Sequence, residues 1–117
     1  MSEKRPVSLL LFDILEAVDK IERFTTGITF EKLVQDDRTQ DAILRNIQII
    51  GEASKNIPDS IVKAHPEIDW SGVAGIRDII THRYFRVDWQ LLWTSIHEEL
   101  PGFRKQIAAL SREIHEK

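Results

Sequence analysis

The chain has 117 residues, 16 Lys and Arg against 19 Asp and Glu for a net charge of −3, and no cysteine. That length bounds it to one domain over residues 1–117, small enough that a patch lost to a partner would matter, so an oligomer is expected. A slightly acidic balance argues against a general nucleic-acid binder, although a local basic cluster can still hold a phosphate. The lack of cysteine rules out disulfides, thiolate chemistry and cysteine zinc sites, and suits a reducing cytoplasm. No apolar run approaches the roughly 18 residues of a membrane helix, and the run after Met1–Pro6 is broken by Asp13 and Glu16, unlike a signal peptide.

In chain order, Pro6 suits a first helical turn, and Val7, Leu11, Ile14, Val18 and Ile21 recur at spacings of four and three, which predicts a helix. Leu10 and Leu15 widen its apolar stripe, Glu16, Lys20, Glu22 and Arg23 face water, and Gly27 ends it. Phe30 to Val34 can add one turn before Asp36-Asp37-Arg38-Thr39, whose short polar side chains can cap the next helix. That helix carries Ile43, Ile47, Ile50 and Ile57 on one stripe, with Leu44 and Gly51 beside it, and stops at Pro58. Asp59 to Ala64 read as a short helix closed by Pro66. Asp69 can cap a helix from about Trp70 to about Tyr84, with Val73, Ile76 and Ile80 inward and Gly72 and Gly75 permitting close approach by a neighbour. Asp88 caps another, with Trp89, Trp93 and Ile96 inward. Pro101 starts a new helix or kinks the old one, and Phe103, Ile107, Leu110 and Ile114 continue the core face. The sum is an all-α bundle of four to five main helices.

The chemistry gathers in Arg77-Asp78-Ile79-Ile80-Thr81-His82-Arg83-Tyr84, with Arg86 close behind. An imidazole can act as general acid or base near neutral pH, and a guanidinium keeps its charge and forks onto two phosphate oxygens. On an ideal helix, residues five apart lie about 140 degrees around the axis, whereas residues seven apart nearly superpose. Arg77 and Tyr84 therefore share a face and His82 does not. A two-fold dimer resolves this, because facing motif helices put the Arg of one chain near the His of the other. The four histidines, His65, His82, His97 and His115, show no metal-ligand spacing, so no metal or cofactor is expected. Taken alone, Arg77 with His82 reads as a solvated basic face, with Arg83 and Arg86 pairing Asp88 or Glu98. Trp70, Trp89 and Trp93 read as core.

Arginine, four residues, histidine, one residue, tyrosine is also a family pattern. With Arg45-Asn46-Ile47, Gly51-Glu52-Ala53, Trp70, Gly75-Ile76-Arg77, Tyr84-Phe85, Trp93 and Leu100-Pro101, the chain resembles the HepT-like toxins of the HEPN superfamily over most of its length. The resemblance implies a HEPN-type up-and-down helical bundle, homodimeric, with an RNA-cleaving cleft between the protomers. It implies a toxin–antitoxin role, with Tyr84 modified by AMP transfer from a minimal nucleotidyltransferase antitoxin. Many members carry asparagine where this chain has Asp78, which implies tuned rather than abolished activity.

On this reading His82 moves the proton in a metal-independent endoribonuclease reaction that leaves a cyclic phosphate, and Arg77 stabilises charge building on the phosphate. Asp78 orients one of them, and Arg83 and Arg86 hold flanking phosphates. AMP on Tyr84 would oppose RNA by charge and bulk. The alternative is a non-catalytic helical subunit that binds for a nucleotidyltransferase partner.

Overall fold

The computed structural model describes residues 5–70 and 87–116, and every described element of regular structure is helical. Four long helices, α1 (Val7–Thr25), α3 (Asp37–Lys55), α5 (Trp89–Glu98) and α6 (Leu100–Glu116), stand with two short ones, α2 (Phe30–Leu33) and α4 (Asp59–Ala64). Beyond Trp70, the helix expected to run to Tyr84, with Gly72, Gly75, Val73, Ile76 and Ile80, lies outside the described residues.

Helix α1 is the middle of the packing, with α3 against one part of its surface and α6 against another. Its stripe of Leu10, Leu11, Ile14, Ala17, Val18 and Ile21 is buried along the whole length, because apolar residues return every three or four positions. Each Leu or Ile so removed from water contributes about 1.5–3 kcal/mol. Ile43, Ile47 and Ile50 of α3 close on one side, and Phe103, Ile107 and Leu110 of α6 on the other. Arg104 joins α6 to α1 by donating from Nε and Nη2 to the two carboxylate oxygens of Asp19, at 2.6 and 3.2 Å. Through that bond the guanidinium is held above its ordinary pKa. The buried Asn46 serves its own helix, its amide donating to the carbonyl of Ala42 at 2.8 Å.

Local sequence sets the helix ends. Thr25 and Thr26 hydroxyls take up carbonyls of Ile21 and Glu22 in the last turn of α1, and Gly27 follows at φ +80, a conformation that costs other residues about 1–2 kcal/mol. Space is not the constraint there, since an added Cβ would meet nothing within 4 Å. Thr29 caps α2 by accepting from the amide of Lys32, and Asp36 caps α3 by accepting from the amide and hydroxyl of Thr39. The Thr39 hydroxyl is the main reason the Asp36 carboxyl sits below the usual carboxylate range.

Three expectations change in detail, and Pro101 takes the first of its two expected roles. Pro6 precedes α1 as its N-cap, its carbonyl accepting from Leu9 and Leu10, rather than sitting in the first turn. Helix α3 ends at Lys55, and Ile57 is buried from the following turn rather than from the helical stripe. The cause is Pro58, which disfavours helical backbone at the residue before it. Pro101 opens a new helix, since only Glu99 separates α5 from α6. In α5 the sealed seat belongs to Leu92 at 0% exposure, with Ser95 and Ile96, while Trp89 and Trp93 are half-buried flanks. Tryptophan is large enough that it is rarely buried completely.

Candidate functional site

The stretch that carries the expected chemistry is flanked in sequence by two described mounts. Upstream, the strap 65–70 runs from the end of α4. Ile68 anchors it at 3% exposure, and the ring of Trp70 meets Phe103 of α6 edge-on, centroids 6.2 Å apart at 87°. Gln106, one turn along α6, donates from its amide to the carbonyl of Glu67 at 2.7 Å. His65 closes the strap from the other end, its Nδ1 3.1 Å from Glu67 Oε2 and its Nε2 3.6 Å from Glu113 Oε2 on α6. Phe103, Gln106 and Glu113 follow at spacings of three and seven, so one face of α6 makes all three contacts. The Glu67 carboxyl sits below the usual range, first because of a hydrogen bond from its own backbone N–H and then because of His65. The buried Nε1 of Trp70 has no hydrogen-bond partner among the described residues.

Downstream, the chain returns at Val87, which packs against the core, and Asp88, whose carboxylate accepts from the amide of Leu91 at 3.0 Å to start α5. Leu92, one turn on, plugs α5 into the core, and α5 in turn packs on α6. Trp93 braces this end, its ring 6.0 Å from Phe30 and 4.2 Å from the ring of His97. Nδ1–H of His97 donates to the Trp93 carbonyl at 2.8 Å, and Nδ1–H of His115 does the same to Ser111. Both imidazoles are thus held on their own helices. Among the described residues no group of three His, Cys, Asp or Glu is arranged to hold a metal ion, and no helix is long and apolar enough to cross a membrane.

Arg77, Asp78, His82, Arg83, Tyr84 and Arg86 all lie outside the described residues, between these two mounts. What the described part supplies is the frame: Trp70, expected as core, is half-buried against Phe103, and Asp88 caps α5 as its position foretold. His65, Gln106 and Glu113 were not singled out by sequence. Their spacing along α6 was visible, but nothing in it says that a strap 39 residues away would lie across that face. A separate cleft of about 540 Å³ opens between the end of α1 and the elbow of α5 and α6. Its lining sets Glu22 among Lys105, His97 and Arg104, the last of which is engaged by Asp19.

A family model described as Ribonuclease HepT-like matches residues 14–110, from within α1 to late α6, and so takes in both mounts and everything between them. The chain belongs to the HepT-like ribonuclease family. A Thermococcus cleftensis protein carrying the name Probable ribonuclease HepT is 43% identical over 109 residues, which is 93% of this chain and 99% of that protein. A Methanocaldococcus jannaschii protein, whose name assigns it RNase activity provisionally, is 34% identical over 111 residues, 95% of this chain and 92% of its own. Another so named, from Caldanaerobacter subterraneus subsp. tengcongensis, is 38% identical over 104 residues, 89% of this chain and 92% of its own. No solved structure matches significantly. The HepT-like match runs through the apolar frame as well as the basic motif.

Proposed function

We propose that this HepT-like chain is a metal-independent endoribonuclease acting as the toxin of a toxin–antitoxin pair. The observation that carries the reading is the arginine–histidine–tyrosine motif of Arg77, His82 and Tyr84 within a family match that extends over residues 14–110. The ribose 2′-oxygen attacks the adjacent phosphorus, the bond from phosphorus to the 5′-oxygen breaks, and a cyclic phosphate and a 5′-hydroxyl remain. His82 carries the proton between these oxygens, and Arg77 neutralises charge on the phosphate. Asp78 orients Arg77 or His82, and Arg83 and Arg86 hold neighbouring phosphates.

Two copies build the cleft, because residues five apart diverge on an ideal helix and a two-fold axis would bring Arg77 of one copy to His82 of the other. Leu91, 47% exposed four residues beyond Val87, offers apolar surface for such a contact close to the motif. A nucleotidyltransferase partner silences the toxin by moving AMP from ATP onto the phenol oxygen of Tyr84, with pyrophosphate leaving, and the added charge repels RNA.

Purified protein, Arg77→Ala and His82→Ala are to be incubated with RNA in chelator. The native chain leaves cyclic phosphate ends, and each variant is slower by about 10²-fold or more while keeping its melting temperature. Equal activity of all three would overturn the assignment of both residues. Equal inactivity would favour a non-catalytic subunit. Intact mass after co-expression with the adjacent gene tests the partner, since a gain of whole AMP units lost in Tyr84→Phe identifies the modified residue.

A further inference from the structure

The strap that leads into the motif segment has two carboxylates trained on one ring. Glu67 Oε2, from the strap itself, lies 3.1 Å from Nδ1 of His65, and Glu113 Oε2, from α6, lies 3.6 Å from Nε2. The imidazole is 18% exposed, so water reaches little of it, whereas the two carboxylates are 60% and 46% exposed. Carboxylates only accept hydrogen bonds, and a neutral imidazole carries a single N–H. A neutral ring therefore serves one of them and turns a lone pair toward the other. The imidazolium alone turns an N–H to each, in hydrogen-bond contact with Glu67 and in a longer charge contact with Glu113. The two oxygens lie against opposite ring nitrogens, so they do not converge on a common point where a cation could replace the proton.

We propose that His65 is a positioning residue whose protonation fastens the strap to α6 and so steadies the chain where it enters the motif segment. Glu67 and Glu113 are the carboxylates within 4.0 Å of the ring among the described residues, and Lys63 and Asp69 are its charged neighbours along the chain. Contacts that carry no proton-dependent charge remain at any pH: the Gln106 amide on the Glu67 carbonyl, buried Ile68, and Trp70 on Phe103. The proton thus tightens a strap that is already docked. The fastening holds while the carboxylates are ionised and the imidazole is protonated, and it is lost where the ring is neutral. The effect on RNA cleavage rests on the function proposed above; the fastening does not.

Amide exchange reads the strap directly, because the amide of Ile68 donates to the His65 carbonyl at 3.2 Å and that of Trp70 to the Ile68 carbonyl at 2.9 Å. Protection of these two amides, corrected for intrinsic rates, is to be compared at about pH 5.5 and about pH 8. In the native chain it falls about two- to fivefold at the higher pH, the range of a partly exposed ion pair. In His65→Gln and in the conservative surface variant Glu113→Gln it stays flat or nearly so. A native chain with no fall, or with the same fall as Glu113→Gln, overturns the proposal. The second arm is RNA cleavage: the ratio of native to Glu113→Gln rates declines across the same interval, and a constant ratio overturns the link to the motif. A chain that cleaves no RNA yet shows the exchange pattern keeps the fastening and loses the ribonuclease reading. Flat exchange with active cleavage does the reverse.

Discussion

The two mounts of the motif segment are built from different physics. Upstream, the strap is tied to α6 by an amide on a carbonyl, by an imidazole between carboxylates and by one ring edge, with Ile68 as its buried apolar anchor. Downstream, the chain passes through one capping aspartate directly into α5, and Leu92 seals that helix into the core. Side-chain tethers across long sequence separation can be loosened one at a time by pH or substitution, whereas a capped helix plugged into a core yields only with the fold. The consequence is one mount that yields only with the fold and one that can be adjusted contact by contact.

Leu92→Ala tests the firm side hardest. It empties a fully buried seat and is expected to cost about 2–5 kcal/mol, read from the midpoint of denaturant unfolding. A loss below about 1 kcal/mol would mean that the downstream mount is no firmer than the upstream one. Asp88→Ala removes the cap of α5 and costs about 1 kcal/mol, while Asp88→Asn, which can still accept from the Leu91 amide, costs a few tenths. Gln106→Ala should cost about 1 kcal/mol or less globally yet raise exchange at Ile68 and Trp70 well above exchange in α5. Uniform acceleration across both mounts would erase the distinction.

The smallest expected effect is acidic. Glu67 is held below its ordinary value in the fold, so its contribution is fully present above the unfolded value and is lost as pH falls through the folded one. The strap should therefore loosen, before α5 does, on acidification below the ordinary carboxylate range, and Glu67→Gln should remove that difference. Asp36 follows the same sign at the start of α3, where Asp36→Asn would keep a cap without the pH dependence.

Much of this frame was legible in the residues. The stripe Leu11, Ile14, Val18, Ile21 names the buried face of α1, and Asp36 and Asp88 name the starts of α3 and α5, because a cap and a period of 3.6 act over neighbours in the chain. Size went unread: two tryptophans drew attention in α5, and the sealed position went to Leu92 between them. His65 was legible as a histidine and nothing more, since its partner Glu113 is 48 positions away (113 − 65).

The sequence by itself determined that the chain is helical and where most of its helices begin and end, both of them properties of short stretches. Tertiary structure alone decided that α6 offers one face to the strap and that His65, Gln106 and Trp70 meet it there. Such contacts depend on how whole helices lie across one another, and that arrangement is the outcome of burying every apolar stripe at once rather than of any one of them.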